Sequence, residues 1–444
     1  MNRTLGWIGI LRLGLVQTAI GSIVVLVTAT LNRVMVVELS MAAIVPGLLV
    51  GLHYGVQMLR PVWGHASDVG GRRTRWIIGG VALLGLGAAG ASLAVAVMSQ
   101  NMALGLFLAF LDFVLIGIGV GAAGTSLLAL LASTVAPTRR PAAATIVWLM
   151  MIAGMAVTAT IAGGMLEPFS FGRLIAVVAA TAVAAVVLTS LALWRLEASL
   201  LPRRDEHSLR APVSFRRSLA DAWADPTARL FTIFVFVSML AFSAQDLILE
   251  PFAGLVFGWT PGETTRLAGV QHGGVFLGMV LTGVAGSLLS RRYPGALRAF
   301  TVGGCIASAL ALACLTFAAA HPEIWPLRAN VFALGFANGV FAVAAIGSMM
   351  ALAGAAGPER TGMRMGLWGA AQAIAFGLGG LVGTASVDIA RWLSGQISFS
   401  YGLVFAAEAF VFLIAAALAA RIAVTRIEPA SRPPETIAHA TPAE

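Results

Sequence analysis

The chain contains no lysine, and only two of its 444 residues are cysteines. Charged residues make up 11% of the sequence and hydrophobic residues 59%. A water-soluble protein cannot cover that much apolar surface, so the composition excludes a soluble globular protein. Cys305 and Cys314 lie in one apolar run, about 13 Å apart along a helix, which excludes a disulfide bond between them.

Long apolar runs are abundant instead. Because about 20 residues of helix cross a bilayer, the sequence predicts an all-α integral membrane protein with twelve transmembrane helices. The predicted spans are 13–32, 42–62, 76–98, 104–135, 142–165, 172–195, 229–250, 264–289, 298–319, 325–353, 363–387 and 400–421.

The basic residues are all arginine, and their distribution predicts the topology. With the N-terminus inside the cell, 23 of the 28 arginines fall on cytoplasmic segments and five fall outside. This bias predicts cytoplasmic N- and C-termini in a bacterial inner membrane, which is the cytoplasmic or intracytoplasmic membrane. The net charge of +9 belongs to that membrane face, so we predict no nucleic-acid partner.

Two short motifs recur at nearly the same distance along the chain. Gly64 opens a loop after the second span, and Gly286 opens its counterpart 222 residues later. Pro137 and Pro358 stand 221 residues apart in a second pair of loops. Such duplication is typical of secondary transporters and predicts two pseudo-symmetric six-helix halves, 1–196 and 229–424. A cytoplasmic linker, 197–228, joins the halves and contains an amphipathic segment. Residues 425–444 form a cytoplasmic tail whose composition is typical of disordered segments.

The loop after the second span resembles the signature loop of the major facilitator superfamily. Its pattern is Gly, three residues, Asp, two residues, Gly, Arg, Arg. The second copy has Ser290 in place of the Asp. We predict a conformational latch between the halves on the cytoplasmic side, the alternative being an ordinary charged loop. The latch residues are Gly64, Asp68, Gly71, Arg72 and Arg73.

The stretch SAQDLILEPFAG (243–254) places two carboxylates, Asp246 and Glu250, one helical turn apart in an apolar run. Asp246 is expected about 25 Å from the inner end of its helix, in the outer half of the bilayer or at its rim. Arg33 lies at a similar depth in the first span, ahead of Glu38. We predict that these residues form an outer gate, with Arg33 pairing Asp246 or Glu250. The alternative is that they sit in interfacial water. Pro251 predicts a helix end directly after Glu250.

Other polar residues interrupt the apolar runs. His53 and His272 lie on duplicated helices, and a neutral imidazole can bind a metal, including the magnesium of a chlorin, or relay protons. We therefore consider both histidines as pigment-binding candidates, although a lone histidine in a membrane is more often a packing residue. The remaining buried polar candidates are Gln17, Asp112, Asn338, Gln372 and Glu408. The two carboxylates among them, Asp112 and Glu408, are compatible with proton relay or interhelical hydrogen bonds.

Over nearly its full length the chain resembles the PucC/LhaA group of the major facilitator superfamily. The resemblance rests on TLNRVMVVEL (30–39), the 64–73 loop, SAQDLILEPFAG and GMRMGLWGAAQAIAFGLGG (362–380). GLVQTAIGSIVVL and VGLHYGVQ look closest to the branch labelled bacteriochlorophyll synthase chain. The resemblance implies delivery of bacteriochlorophyll or a precursor to antenna polypeptides, beside pigment-synthesis enzymes, during light-harvesting complex assembly.

Two other functions are compatible with these residues. A proton-coupled secondary transporter of a small apolar or amphipathic solute would use the membrane carboxylates. A prenyltransferase would need aspartate clusters to hold magnesium diphosphate, and only Asp221 and Asp225 in the linker approach that pattern. Those two fit a solvated helix face better, so we predict no catalytic residues, no resident metal, and bacteriochlorophyll as cargo.

Overall fold

The computed structural model describes residues 5–60, 63, 72–136, 139–196, 220, 223–289, 292–293, 295–355 and 358–422. Helices dominate this part of the chain, as predicted. In chain order they are α1 (Trp7–Glu38), α2 (Ile44–Gln57), α3 (Arg73–Met98), α4 (Met102–Thr134), α5 (Arg140–Met165), α6 (Phe171–Leu193), α7 (Pro226–Phe257), α8 (Pro261–Leu289), α9 (Ala296–Ala320), α10 (Leu327–Ala355), α11 (Pro358–Ser394) and α12 (Ile397–Ala420).

Eleven of these helices are long and apolar enough to cross a membrane. The exception is α2, which is described over 14 residues and corresponds to the predicted span 42–62. The helices define two ends of the bundle. At the arginine-rich end, Leu5 N–H donates to the Thr134 carbonyl (2.9 Å), and the Arg12 guanidinium donates to the Ala192 carbonyl (2.7 Å). Each helix runs from this end of the bundle to the opposite, arginine-poor end.

The helix α7 departs from the prediction at both of its ends. It begins at Pro226, where the Asp225 carboxylate caps it, rather than at residue 229. It also continues through Pro251 to Phe257, so the predicted helix end after Glu250 is wrong. A proline inside a membrane helix is tolerated where a neighbouring helix satisfies the backbone carbonyl that the ring leaves free.

Each half builds its own apolar core. One core contains residues of α1 to α6, and the other contains residues of α7 to α12. Glycines allow close backbone contact inside each half. A Cβ on Gly339 of α10 would lie 2.1 Å from the Val275 carbonyl of α8, and one on Gly335 would lie 2.1 Å from the Gln271 carbonyl. The small residues therefore set the helix spacing, as is common where lipid provides no hydrophobic drive for association.

Two helix pairs make the largest contacts between the halves, α2 with α11 and α5 with α8, and the C-terminal part of α1 also packs against α7 and α8. Leu247 of α7 and Ala268 of α8 belong to the first half's core cluster, which marks where the second half enters the first. Among the described residues, the hydrogen bonds between the halves lie toward the arginine-poor end. The bundle is therefore closed at this end.

Candidate functional site

The central contact between the halves uses a carbonyl that proline leaves free. Pro251 has no N–H, so the Leu247 carbonyl four residues earlier lacks its usual helical partner. The Asn32 side-chain amide of α1 donates to that carbonyl at 2.6 Å, and Asn32 is fully buried. The two stretches TLNRVMVVEL and SAQDLILEPFAG therefore meet directly across the interface.

The irregular C-terminal part of α1 positions the Arg33 and Glu38 side chains. Residues Leu26–Leu31 and Val34–Glu38 are π-helical, a geometry that is frequent at functional sites. In such a segment residues five apart come together, and Arg33 donates to the Glu38 carboxylate. The second Arg33 nitrogen donates to the Trp259 carbonyl of the second half at 2.7 Å. Gly258, in a left-handed conformation (φ +70°), ends α7 just before Trp259.

The expected ion pair between Arg33 and Asp246 or Glu250 is not present. Arg33 pairs with Glu38 on its own helix because the π-helical turn brings Glu38 within reach. The contact that Arg33 makes across the interface is to a backbone carbonyl. Arg33 and Glu250 are each 2% exposed, so both are enclosed by protein rather than placed in interfacial water.

Three further contacts close the arginine-poor end, and the sequence analysis missed them. The Asp388 carboxylate of α11 accepts from the Ala43 and Ile44 N–H groups at 3.1 and 2.7 Å, capping α2 from the other half. Thr30 and Thr265 share a hydrogen bond of 3.0 Å. Glu167 accepts from the Thr260 hydroxyl. Asp388 has no local sequence signature of a cap because its partners lie 344 and 345 positions away.

A second group of polar residues converges near the middle of the bundle. The Gln271 amide of α8 donates to the half-buried Asp246 carboxylate of α7 at 3.0 Å. Tyr54 of α2 and Glu408 of α12 lie close enough to Asp246 to interact electrostatically. By helical rise, all four residues lie about 15–17 Å from the arginine-poor ends of their helices. Asp246 therefore lies well inside the bundle and away from the rim, at the depth where transporters of this architecture bind their substrates.

Aromatic rings lie beside this mid-depth group. Phe376 of α11 is 6.0 Å from the Tyr54 ring and 5.8 Å from the Phe242 ring, between ring centroids. Phe242 lies one turn before Asp246 on α7. The arrangement combines one hydrogen-bonded carboxylate with flat apolar surfaces from both halves. It suits a ligand that is largely apolar and carries a few polar groups.

Three buried side chains around this group lack hydrogen-bond partners. Both carboxylate oxygens of Glu250 and of Glu408 are enclosed and unbonded, as are both amide atoms of Gln245. Glu408 is 5% exposed and Gln245 fully buried. Because burying a polar group without a partner costs free energy, such groups in native proteins need a functional or structural explanation.

The two histidines make similar backbone contacts on different helices. His53 Nδ1 lies 2.8 Å from the Val50 carbonyl, and His272 Nδ1 lies 2.8 Å from the Ala268 carbonyl. His53 belongs to α2, which packs against α11, whereas His272 belongs to α8, which packs against α5. They therefore do not form one joint site. Within the described residues, no group of three or more His, Cys, Asp or Glu side chains could hold a metal ion.

The other polar candidates have varied surroundings. Gln17 donates to the Met151 sulfur at 3.0 Å, and Gln372 lies 4.0 Å from the Met239 sulfur. Asn338 accepts from the Ser308 hydroxyl at 2.8 Å and is fully buried. Asp112 differs from these three because it is half-buried and has no hydrogen bond or ion pair among the described residues.

Only part of the predicted latch can be described. Gly64, Asp68 and Gly71 lie outside the described residues. Arg72 is the extended residue before α3. Arg73 donates to the Ala129 carbonyl at 2.9 Å and to the Ser133 hydroxyl at 2.6 Å, which ties α3 to α4 within the first half.

In the linker, Asp225 is engaged at the start of α7, where it also accepts from the Arg364 guanidinium. Asp221, most of the predicted amphipathic segment and the tail from 423 lie outside the described residues.

The fold is that of the major facilitator transporters. A bacterial homologue of the human lysosomal transporter Spinster, in an inward-facing and unoccupied conformation, matches with a TM-score of 0.68 at 15% identity, covering 93% of this chain and 95% of that one. A bacterial homologue of the human peptide transporters PepT1 and PepT2 matches with a TM-score of 0.66 at 13% identity, covering 93% and 97%. The chain is a multi-pass membrane protein with this fold.

Sequence comparison defines the group more closely. The family model described as PUCC protein matches residues 30–427, and the chain belongs to that family. It is 52% identical over 425 residues to the "Bacteriochlorophyll synthase 44.5 kDa chain" of Rhodobacter capsulatus, covering 95% of this chain and 97% of the relative. Protein PucC of the same organism is 31% identical over 432 residues, covering 92% and 91%. The resemblance seen in the sequence is thereby confirmed.

Proposed function

We propose that this chain is a membrane carrier that delivers bacteriochlorophyll, or a precursor, during light-harvesting complex assembly in a phototrophic bacterium. The observation that carries the proposal is the 52% identity to a protein named for bacteriochlorophyll synthesis, over 95% of this chain. The mid-depth group around Asp246 supports it, because a chlorin is flat and mostly apolar with few polar substituents. Antenna polypeptides and pigment-synthesis enzymes are the expected partners.

The histidines supply candidate ligands for the pigment. When Nδ1 of His53 or His272 donates to the carbonyl beside it, Nε2 keeps a free lone pair that can bind the magnesium of the cargo. Because the two lie on different helices, α2 and α8, we propose two separate positions for pigment.

In this proposal the protein does not catalyse pigment synthesis, and the synthase name of its relative refers to a partner's activity. Asp225, half of the aspartate pair that could have held a diphosphate, caps α7 and pairs with Arg364. Its carboxylate is therefore committed to the fold. A synthase assay on the purified protein with pigment and prenyl diphosphate substrates tests this point, and turnover without added synthase would contradict it.

Movement of the cargo would use alternating closure of the two ends. We place the outer gate at Arg33, Glu38 and Glu250, joined by Asn32 and Asp388. Asp246, which the sequence assigned to this gate, belongs to the mid-depth group below it, and we place the inner latch at the 64–73 loop. The arginine bias supports a cytoplasmic position for the latch end and both termini, in the bacterial inner membrane.

A proton-coupled transporter of a small apolar or amphipathic solute is the second candidate. The enclosed, unbonded carboxylates Glu250 and Glu408 favour it, because proton-driven transporters use such groups. Under this alternative the purified protein would carry no pigment, and transport in vesicles would depend on the pH gradient.

The first experiment is gentle purification of the tagged protein from photosynthetically grown cells, with an absorption spectrum and mass spectrometry of bound proteins. We expect near-stoichiometric bacteriochlorophyll, reduced when His53 and His272 are both changed to Phe. Pigment-free protein that also lacks antenna and synthase partners would contradict the proposal.

A second experiment tests the mid-depth group in cells. Asp246→Asn keeps the side-chain shape but removes the charge, so we expect less assembled antenna at an unchanged protein level. Glu323→Gln, on an exposed residue between α9 and α10, is the matched control. Normal antenna levels in the Asp246 variant would remove Asp246 from the carrier's site.

A further inference from the structure

A cavity of about 620 Å³ lies at the arginine-poor end of the first half. It is enclosed where α1 and α3 end and where α4 and α6 begin. Its volume is within the range of small-molecule sites in proteins. The walls are largely apolar and include Met98, Met102, Phe169 and Phe171. The two phenylalanine rings meet edge to face, with 5.6 Å between their centroids.

A carboxylate interrupts this apolar wall. Among the described residues that line the cavity, Glu38 is the one charged group, and 34% of its side chain is exposed. Its Oε1 accepts from Arg33, whereas Oε2 has no hydrogen bond or ion pair in the described part of the chain. Because an ionised carboxylate accepts at both oxygens, Oε2 can receive a second cation. Arg173 donates to the Pro168 carbonyl at 2.7 Å and is not part of the lining.

The lining selects a ligand by its charge and its shape. The Glu38 carboxylate attracts an ammonium or guanidinium group and repels an anion. Aromatic rings attract organic cations through their negative faces, and methionine side chains adapt to apolar groups of varied shape. The cavity therefore suits an organic cation that carries an apolar body.

Arg33 connects the cavity to the contact between the halves. It donates to the Trp259 carbonyl at 2.7 Å while Glu38 holds its guanidinium. Its Nε has no hydrogen-bond partner, and both oxygens of Glu250 are also unbonded. A Cβ on Gly254, one turn after Glu250, would lie 3.2 Å from that Nε, so Arg33 already lies against α7. A cation on Glu38 would compete with Arg33 for the carboxylate and repel it, which weakens the hold of Arg33 on Trp259.

We propose that this cavity is an effector site for an organic cation, which binds Oε2 of Glu38 and favours opening of the arginine-poor end. The ligand is an ammonium or guanidinium group with an apolar neighbour. A free amine and an amine-bearing lipid headgroup both supply this chemistry. Binding at the site is independent of the pigment, and only its effect on opening rests on the outer gate of the proposed function.

The test uses purified, pigment-free protein in nanodiscs of phosphatidylglycerol, a lipid whose headgroup carries no amine. The probes are phenylethylammonium and its neutral counterpart 2-phenylethanol, measured by saturation-transfer NMR against empty nanodiscs. We expect the cation to bind and the alcohol not to bind. Glu38→Gln should weaken cation binding by about two- to fivefold, as for the loss of a partly exposed ion pair. Glu323→Gln, on an exposed carboxylate at the same end of the second half, should leave it unchanged.

Glu38→Gln also removes a partner of Arg33, so a second variant separates ligand binding from folding. Met102→Glu adds a carboxylate to the lining at the start of α4, where a negative charge is favourable for the helix. It should strengthen cation binding by about two- to fivefold, and Met102→Gln is its matched control. Nanodiscs of phosphatidylethanolamine distinguish the sources. Weaker probe binding there would assign the site to the headgroup, and equal binding would assign it to a free amine.

Opening is measured as maleimide labelling of a single cysteine at Ala268, a position that is 2% exposed in the first half's core cluster, after Cys305 and Cys314 have been replaced. Saturating phenylethylammonium should speed labelling by about two- to fivefold in the wild type and have no effect in Glu38→Gln. Equal binding of the cation and the alcohol would overturn the site, as would equal cation binding by Glu38→Gln and the wild type. Cation binding with an unchanged labelling rate would overturn the effect on opening. Pigment delivery is judged separately, by the pigment content of protein purified from cells.

Discussion

The bond from Asn32 to the Leu247 carbonyl should hold the two halves together at the arginine-poor end. Asn32→Leu keeps the volume but removes the donor, leaving a buried carbonyl that Pro251 prevents from bonding within α7. An unsatisfied buried acceptor costs about 1–3 kcal/mol, and interhelical hydrogen bonds in membranes fall at the low end of such values. We therefore expect the closed form to lose about 1–2 kcal/mol, which changes its equilibrium with the open form by about 5- to 30-fold.

The assay is the labelling rate of a single cysteine by a maleimide. Cys305 and Cys314 are first replaced, and Ala268→Cys places the reporter at a position that is 2% exposed in the contact between the halves. Because labelling requires opening, its rate should rise by the same 5- to 30-fold in the Asn32→Leu variant. Asn338→Leu is the matched control, since Asn338 is a buried asparagine bonded within its own half. That variant should lower stability without faster labelling.

The proline provides a second, sharper comparison. Pro251→Ala restores an N–H that can bond the Leu247 carbonyl inside α7, so Asn32 is no longer its sole donor. In that background Asn32→Leu should increase the labelling rate by a smaller factor than in the wild type. An equal increase in both backgrounds, or none in the wild type, would refute the reasoning.

Three further predictions concern other contacts. Asp388→Ala removes a cap that joins the halves, so it should also speed labelling of the reporter cysteine, whereas Asn101→Ala, which removes a cap within one half, should not. Gly339→Ala should reduce the free energy of unfolding by about 1–3 kcal/mol, because the α8 backbone occupies the space of the added methyl group. The change should appear as a lower thermal unfolding midpoint in detergent. Gly273→Ala, whose added methyl group meets nothing within 4 Å, should leave the midpoint unchanged. Asp225→Ala should destabilise the start of α7 by about 1–2 kcal/mol, measured as faster proteolysis of the linker; unchanged proteolysis would show that the cap is dispensable.

An exchange of Arg33 and Asp246 should not preserve function. Arg33 pairs with Glu38 on its own helix and with a backbone carbonyl, so moving its charge to position 246 would leave Glu38 alone. A double change of Arg33 and Glu38 to neutral residues should cost less stability than the Arg33 change alone, because the lone carboxylate is removed as well.

Much of the fold was predictable because the bilayer imposes a simple rule. An uninterrupted apolar run of about 20 residues has few alternatives to a spanning helix, and twelve such runs are visible in the sequence. The end of α7 was mispredicted because Pro251 is normally a helix breaker. Only the donor from Asn32, more than two hundred residues away in the chain, makes the continued helix acceptable there.

The candidate residues were predicted less completely than the fold. Asp246, Glu250 and Glu408 were recognisable as costly groups in an apolar environment. Gln271 and Tyr54, which join Asp246 at mid-depth, had no local signal that distinguished them from other polar residues in helices. Arg33 was predicted to pair with Asp246 or Glu250 but pairs with Glu38, since the π-helical turn that brings Glu38 to it cannot be read from spacing at an ordinary helical period.

The sequence by itself determined the class of protein, the helices and the family, because hydrophobicity and short motifs act locally along the chain. The tertiary structure alone decided which carboxylates have partners. Asp388 caps a helix of the other half and Asp246 bonds Gln271, whereas Asp112 has no hydrogen bond or ion pair among the described residues. The physical reason is that the free energy of a charge in a membrane depends on the groups packed within a few ångströms of it, and those groups come from distant parts of the chain.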